Sequence, residues 1–416
     1  MQGGKKIVIK NTIFIAGARY INLITTGLLT IFLARYLDIP IFGKYITIFS
    51  FLFFANILAN FGIPLIIVRN VARNLKLANL YFFNATFIML CFSLIAYFII
   101  NLIAFLMYND KELKLLILIA SISLFPGVIS STCGAIFRAF ERMEMPSLIN
   151  SFISIFSFFV IILILFTVNK KLFFIILTNV LFSFLNMILI FKKLKKNINL
   201  KFEKINYSLC FSILKQSFAV AFIRIFNMIN QRIDIIMLST MSGMANVGFY
   251  GVPVRLISTL NIPFTSLSVA LLPRVSIYFN KARSLKNIYK QSQRFYIFLG
   301  LIITIIIFLF SKQIISILFG SKYIEGNAHN ALRILILAFL INKISGPAGV
   351  VILSMEEKLN KFIPFAFFGA ILNIGLNLLW IPRYGILGAS LATLICALVI
   401  SFIKLFLVQG VLRVSS

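Results

Sequence analysis

Residues 80–106 read LYFFNATFIMLCFSLIAYFIINLIAFL, an apolar run without one charged side chain. A helix rises 1.5 Å per residue, so about 20 residues cross the roughly 30 Å of hydrocarbon in a bilayer, and this run is long enough to do so with some tilt. Runs of the same kind recur from one end of the chain to the other. Hydrophobic residues make up 61% of the 416 positions and charged ones 12%, roughly half the charged share of a soluble domain. Such a chain cannot cover itself in water, and lipid is its solvent. The expected fold is an all-α polytopic membrane protein.

Twelve spans are expected, at 13–34, 42–67, 80–106, 114–136, 147–168, 172–191, 212–239, 246–271, 295–319, 330–353, 362–380 and 386–408. An even number places both termini on one side. That side collects about 24 Lys and Arg, in the N-terminal tail, in loops such as Arg69–Lys76, Lys192–Lys204 and Arg274–Arg294, and at the C-terminus, against about nine on the other. The asymmetry predicts cytoplasmic termini and a multi-pass protein of the bacterial cytoplasmic membrane. The net charge of +30 is thus a topogenic signal in short loops and not a nucleic-acid-binding face. The N-terminal apolar run, Ile13 to Ala34, is too long for a cleaved signal sequence and reads as the first helix.

Several function classes drop out. Cys91, Cys133, Cys210 and Cys396 are scattered in apolar segments without metal or redox spacing and read as packing residues. His329, the only histidine, is expected in a short loop and excludes a histidine-based metal centre or triad. No cofactor is implied. No loop is long enough for a soluble catalytic domain, so the work is done within the bilayer.

Sliding the chain against itself by 205 residues matches nine positions between 10 and 45: Lys10/Lys215, Ala16/Ala221, Arg19/Arg224, Asn22/Asn227, Ile24/Ile229, Ile31/Ile236, Leu33/Leu238, Gly43/Gly248 and Tyr45/Tyr250. The polar and glycine matches carry the weight in so biased a composition. They suggest two related halves, an N-terminal lobe over 1–200 and a C-terminal lobe over 201–416, as an alternating-access transporter requires.

Arg19, Arg224, Arg232 and Arg255 fall inside predicted spans. Four arginines facing lipid at mid-depth would cost on the order of 10–14 kcal/mol, so they must face protein or water. Arg19, Asn22 and Thr26 share a helical face, and Arg224, Asn227 and Gln231 repeat that spacing. Lysines outnumber arginines 25 to 15 overall, yet the deepest basic positions are expected to be arginine. A guanidinium keeps its charge and presents a planar fork matched to phosphate oxygens. The inference is a cationic cavity for a phosphate-bearing anion, lined by Arg19, Arg224, Arg232, Arg255, Asn22, Asn227 and Gln231. Arg232 has a second reading, as the ion-pair partner of Asp234. Asp234 is the one carboxylate expected within a span, and it stands either as that partner or as a proton- or cation-coupling group. A single intramembrane acid offers no carboxylate pair for catalysis.

The chain also resembles the polysaccharide-exporter group, the O-antigen or repeat-unit flippases, of the multidrug/oligosaccharidyl-lipid/polysaccharide (MOP) flippase superfamily. The resemblance rests on Ala34-Arg35-Tyr36-Leu37-Asp38 with Phe42-Gly43-Lys44-Tyr45, on Ala270-Leu271-Leu272-Pro273-Arg274, and on Asn373 and Asn377 ahead of Ile381-Pro382-Arg383-Tyr384-Gly385-Ile386-Leu387-Gly388-Ala389-Ser390. It implies a MATE-like fold of two pseudo-symmetric six-helix lobes. It further implies a flippase that carries an undecaprenyl-diphosphate-linked oligosaccharide to the outer leaflet, among membrane lipids and beside glycan polymerase machinery, with the four arginines on the diphosphate. Coupling to the membrane potential, Na+ or H+ stays open. Two rivals are weighed against it: a MATE-type drug or cation antiporter, and a membrane-embedded glycan polymerase or glycosyltransferase.

Overall fold

The computed structural model describes residues 21–22, 24–168, 171–198, 203–277, 282–353 and 363–414. Among these the chain is all helix: α1 (Ile24–Tyr36), α2 (Ile39–Asn60), α3 (Ile63–Arg73), a 3-10 turn (Leu75–Leu77), α4 (Ala78–Met107), α5 (Lys111–Ser121), α6 (Leu124–Ala139), α7 (Glu144–Thr167), α8 (Lys171–Asn197), α9 (Tyr207–Met241), α10 (Met244–Ile277), α11 (Ala282–Leu309), α12 (Ser311–Phe319), α13 (Lys322–Glu325), α14 (Ala328–Ile344), α15 (Gly346–Leu353) and α16 (Ile363–Val414).

Eight helical stretches among the described residues are long and apolar enough to cross a membrane, and a ninth is the pair α14 and α15, bent by 46°. α16 is 52 residues long, about 78 Å at 1.5 Å per residue, more than twice the hydrocarbon thickness. It is therefore two crossings. Pro382 removes a helical donor, and Gly385 turns the chain at φ 53, ψ −126, a conformation that only glycine adopts without strain. With the shorter α1 and the 34-residue α10, the described residues make about twelve crossings.

Helix boundaries depart from the sequence reading in identifiable ways. The ninth span, expected at 295–319, ends at Leu309, and Ser311–Phe319 forms the separate helix α12. The second span breaks at Phe61 and Gly62, both at positive φ. The fourth breaks between Ser121 and Leu124. His329 lies in the first turn of α14 and not in a loop. Periodicity and apolarity run straight through such breaks, which is why the sequence hid them. The four cysteines are free thiols, three of them buried and Cys91 exposed.

The described chain divides into two compact units, one taking the chain up to Tyr36 with Ile48–Ile225, the other taking Leu37–Thr47 with Phe226–Ser416. The division falls inside α9 and reassigns the start of α2, where the sequence suggested a boundary at 200/201. In the first unit α6 packs on α3, α4 and α8, around a core of Ile63, Ile67, Tyr81, Met89, Phe137 and Leu194. The first turns of α9 close this core with Cys210 and Ile213. Polar ties hold them there: Arg69 Nη2 and Asn70 Nδ2 both donate to Gln216 Oε1, at 2.8 and 3.1 Å, and the Asn206 amide donates to Asn84 Oδ1 at 2.6 Å. Apolar surface is turned outward instead of hidden. Phe98, Phe105 and Leu106 of α4 and Phe159 and Leu163 of α7 are more than 60% exposed, as lipid-facing side chains must be.

In the second unit α14 is central, packed on α10, α11 and α16, with Phe264, Tyr296, Ile336 and Phe339 as a core group. Here the 205-residue repeat becomes a physical contact. A Cβ on Gly43 would overlap the carbonyl of Met244, and a Cβ on Gly248 would overlap the carbonyl of Ile39. Met244 is the repeat mate of Ile39, and Gly248 of Gly43, so the contact is reciprocal, as in an isologous interface. Small residues let helix backbones approach this closely in lipid, where apolar burial gives little drive. Gly248→Ala is expected to cost about 1–3 kcal/mol by overpacking against backbone that cannot yield. A lowered melting temperature of the detergent-purified protein, with Gly349→Ala unchanged because nothing lies within 4 Å of its Cβ position, checks this.

Candidate functional site

In the first unit α2, α3, α6 and α9 enclose a cavity of about 420 Å³ lined by Asn56, Asn60, Ser131, Arg138 and Arg224 among apolar neighbours. A second cavity, of about 380 Å³, is lined by Asn22, Ser130, Ser131, Arg138, Asn150 and Asn186. Ser131 and Arg138 belong to both, so the two cavities adjoin. Arginine supplies the charge and carboxamides and hydroxyls the rest; among the described residues neither lining contains Asp, Glu or Lys. The local sequence explains the lining. Asn56 and Asn60 are one turn apart on α2, and their side-chain amides donate back to the carbonyls of Leu52 and Asn56, at 3.0 and 2.7 Å.

Arg224, Asn227 and Gln231 are exposed along one face of α9, the face that their i, i+3, i+7 spacing requires. No core apolar residue stands in their place. Asn22 lies in the second cavity, and Thr26 donates its hydroxyl to the Asn22 carbonyl at 2.7 Å. Arg19 lies outside the described residues.

The other predicted residues gather in the second unit. Asp234 is 5% exposed; its carboxylate accepts from the Tyr250 hydroxyl and, at 2.8 Å, from the Ile235 amide. Arg232 is attracted by Asp234 and repelled by Arg255, so these three charges form one group. Tyr250 is fully buried and lies close to Thr393 of α16. Arg255 lies near Tyr45, and its buried Nε has no hydrogen-bond partner. The two readings of Arg232, ion-pair partner and cavity cation, thus describe one position that meets an acid on one side and a like charge on the other.

The expectation that the deepest basic positions are all arginine is corrected. Lys343 of α14 is 7% exposed. Its ammonium donates to Asn261 Oδ1 and lies 4.6 Å from the ring centroids of both Phe264 and Phe339. Cation–π attraction and one amide replace the water that burial removed. Lys404 lies close enough to repel it. Sequence reading passed over Lys343 although it falls inside the span expected at 330–353, because attention went to the arginines. It missed Arg138 too, since that residue follows the predicted end of the fourth span and looked like a loop charge. Tyr250 did carry a signal, its match with Tyr45 in the repeat.

Among the described residues no group of three or more His, Cys, Asp or Glu is placed to hold a metal ion. The arrangement suits reversible binding of an anion, with a separate buried acid in the second unit.

Comparison with known proteins bears on this geometry. No curated protein matches the chain in sequence. In structure, it is similar to a multidrug resistance transporter of the MATE family and MOP superfamily in its inward-facing conformation, at a TM-score of 0.72 and 14% identity over 97% of this chain and 98% of that one. It is similar to the lipid II flippase MurJ in an inward closed conformation, at 0.73 and 18% over 95% and 87%. A third likeness, at 0.67 and 14% over 99% and 96%, is to a MOP superfamily transporter from Pyrococcus furiosus described by the reverse polarity of its binding pocket. These likenesses establish the MATE-like fold expected from the sequence. The MatE family profile matches residues 219–379, and the profile of the polysaccharide biosynthesis proteins matches residues 8–279. About two thirds of its length fits that second profile, and the chain belongs to the polysaccharide biosynthesis protein family, with the membrane transporter fold of the MOP superfamily.

Proposed function

We propose that this protein is a flippase that moves a polyprenyl-diphosphate-linked oligosaccharide, a surface-glycan repeat unit of the O-antigen kind, from the cytoplasmic to the outer leaflet by alternating access. The observation that carries the reading is the pair of adjoining cavities in the first unit, whose charge among the described residues is arginine and whose remaining described polar lining is uncharged. That lining suits a diphosphate joined to sugars. It suits a cationic drug poorly. The polysaccharide biosynthesis family and the likeness in fold to a lipid II flippase point the same way.

On this reading the diphosphate docks on the arginines Arg19, Arg224, Arg232 and Arg255. The sugars occupy space lined by Asn and Ser, and the prenyl tail stays in lipid. The termini face the cytoplasm. With the inside negative, an outward-moving anion travels down the electrical gradient, gaining about 2.3 kcal/mol per charge per 100 mV. Asp234, in its cluster with Arg232 and Tyr250, is the place where Na+ or H+ would couple.

A second reading has its own support. The MatE profile covers 219–379, and a buried acid sits in that region, as a cation-coupled drug antiporter would use. The two readings separate in proteoliposomes. Under an inside-negative potential, the flippase moves a fluorescent polyprenyl-diphosphate oligosaccharide between leaflets and leaves a cationic dye untransported. Dye export driven by an ion gradient, with the lipid immobile, would replace the flippase by the antiporter.

A further inference from the structure

We infer that Lys192, Lys195 and Lys196, at the cytoplasmic end of α8, bind the phosphates of anionic glycerophospholipids and fasten the first unit to that leaflet. The inference concerns the surrounding bilayer. It rests on the cytoplasmic orientation of the termini and not on what is transported.

α8 has two faces of opposite character. Asn186 and Ile190 line the second cavity, Leu194 belongs to the core of the unit, and Asn197 Oδ1 accepts from Arg142 Nη1 at 2.8 Å. Their spacing of three and four residues puts them on one face of the helix. Leu181, Phe184, Ile188 and Phe191 are exposed and follow the same spacing on another face. Lys192 and Lys195 continue that second line, with Lys196 beside it, and all three are exposed. At about 100° per residue the three lysines lie roughly opposite the cavity face. They are therefore no part of the cavity, and they stand directly over side chains that meet lipid.

Their depth fits the same reading. Ile188 to Lys192, and Lys192 to Lys196, are each one turn, about 6 Å, and the headgroup layer of one leaflet is about 5–8 Å thick. The apolar line thus turns basic where hydrocarbon gives way to phosphate. α8 carries no Asp or Glu, and none of the three lysines makes a hydrogen bond or ion pair among the described residues. Like charges three and four residues apart on a helix repel one another, so the group is short of an anion. Lipid phosphates beside it supply one, and an ammonium with three rotatable donors suits mobile headgroups better than a fixed fork would.

The rival reading is a topogenic one, in which the lysines serve only to orient the chain during insertion. Orientation does not depend on them. Removing three of about 24 basic residues still leaves that side with more than twice the nine or so of the other.

Native mass spectrometry of the full-length, detergent-purified protein with dioleoyl phosphatidylglycerol or dioleoyl phosphatidylcholine tests the inference. Wild type should retain the anionic lipid more tightly. Lys192→Gln, Lys195→Gln and Lys196→Gln should each lower that preference by about 5-fold, and the three together should remove most of it. Replacing all three by arginine should keep it. Lys286→Gln, Lys290→Gln and Arg294→Gln together remove the same charge from exposed positions of α11 and should leave it unchanged. Melting temperature shows that each variant is folded, and the single variants carry the test if the triple one is not.

An unaltered lipid preference in the glutamine variants, or none in wild type, would leave the lysines a topogenic role alone. An equal loss in the α11 variant would make the effect one of net charge and overturn the site. If the glutamine variants keep the preference and instead lose affinity for farnesyl diphosphate, the lysines serve the transported lipid and the inference is wrong. The flippase reading stands in each case, since the cavity residues are untouched.

Discussion

Arg224→Ala is expected to stop transport of the lipid-linked oligosaccharide while the protein still inserts and folds. The side chain borders the first cavity and is exposed on α9, so no core packing depends on it. What it offers is a charged fork at a cavity with no acid among its described lining residues. Removing one partner of a desolvated, hydrogen-bonded charge pair costs about 2–5 kcal/mol, which is about 30-fold to several thousand-fold in binding. Arg224→Lys keeps the charge and loses the planar fork, so it should fall between. Leaflet exchange in proteoliposomes, read beside the melting temperature, checks both. Arg224→Ala with wild-type transport would end the idea of an arginine-held diphosphate.

Asp234→Ala should instead damage the fold. The carboxylate is buried, accepts from Tyr250 and the Ile235 amide, and attracts Arg232. Truncation leaves a fully buried phenol short of its acceptor and an arginine short of its counter-charge. The expected cost is about 3–5 kcal/mol, the range for breaking a buried pair. Asp234→Asn retains an oxygen for Tyr250 and gives up only the charge, so its melting temperature should lie nearer wild type. If Asp234 is also the coupling group, Asn at this position folds and binds lipid but loses the dependence of transport on a Na+ or H+ gradient. Melting curves and gradient-driven transport of the two variants separate the structural from the coupling role. Equal stability of Asp234→Ala and wild type would contradict the buried pair.

These two residues also show how far the sequence reached. Helical spacing alone placed Arg224, Asn227 and Gln231 on one face, and the structure has all three exposed there. For Asp234 the sequence offered only a choice between ion pair and coupling site. Its main hydrogen-bond partner, Tyr250, lies 16 residues away on another helix, a distance that no local pattern spans.

Membrane residence, helical class, about twelve crossings and the repeat were determined by the sequence itself. Each follows from one-dimensional quantities: run length against bilayer thickness, apolar fraction, and identity at a fixed offset. Tertiary structure alone decided the rest. It put Gly43 and Gly248 into backbone contact, drew Arg138 from a supposed loop to the junction of two cavities, and caged Lys343 between Phe264 and Phe339. The physical reason is common to all three. Whether a charge or a glycine at a given depth faces lipid, water or another helix depends on which distant segment packs against it, and in a chain this uniformly apolar the local sequence is nearly the same in every case.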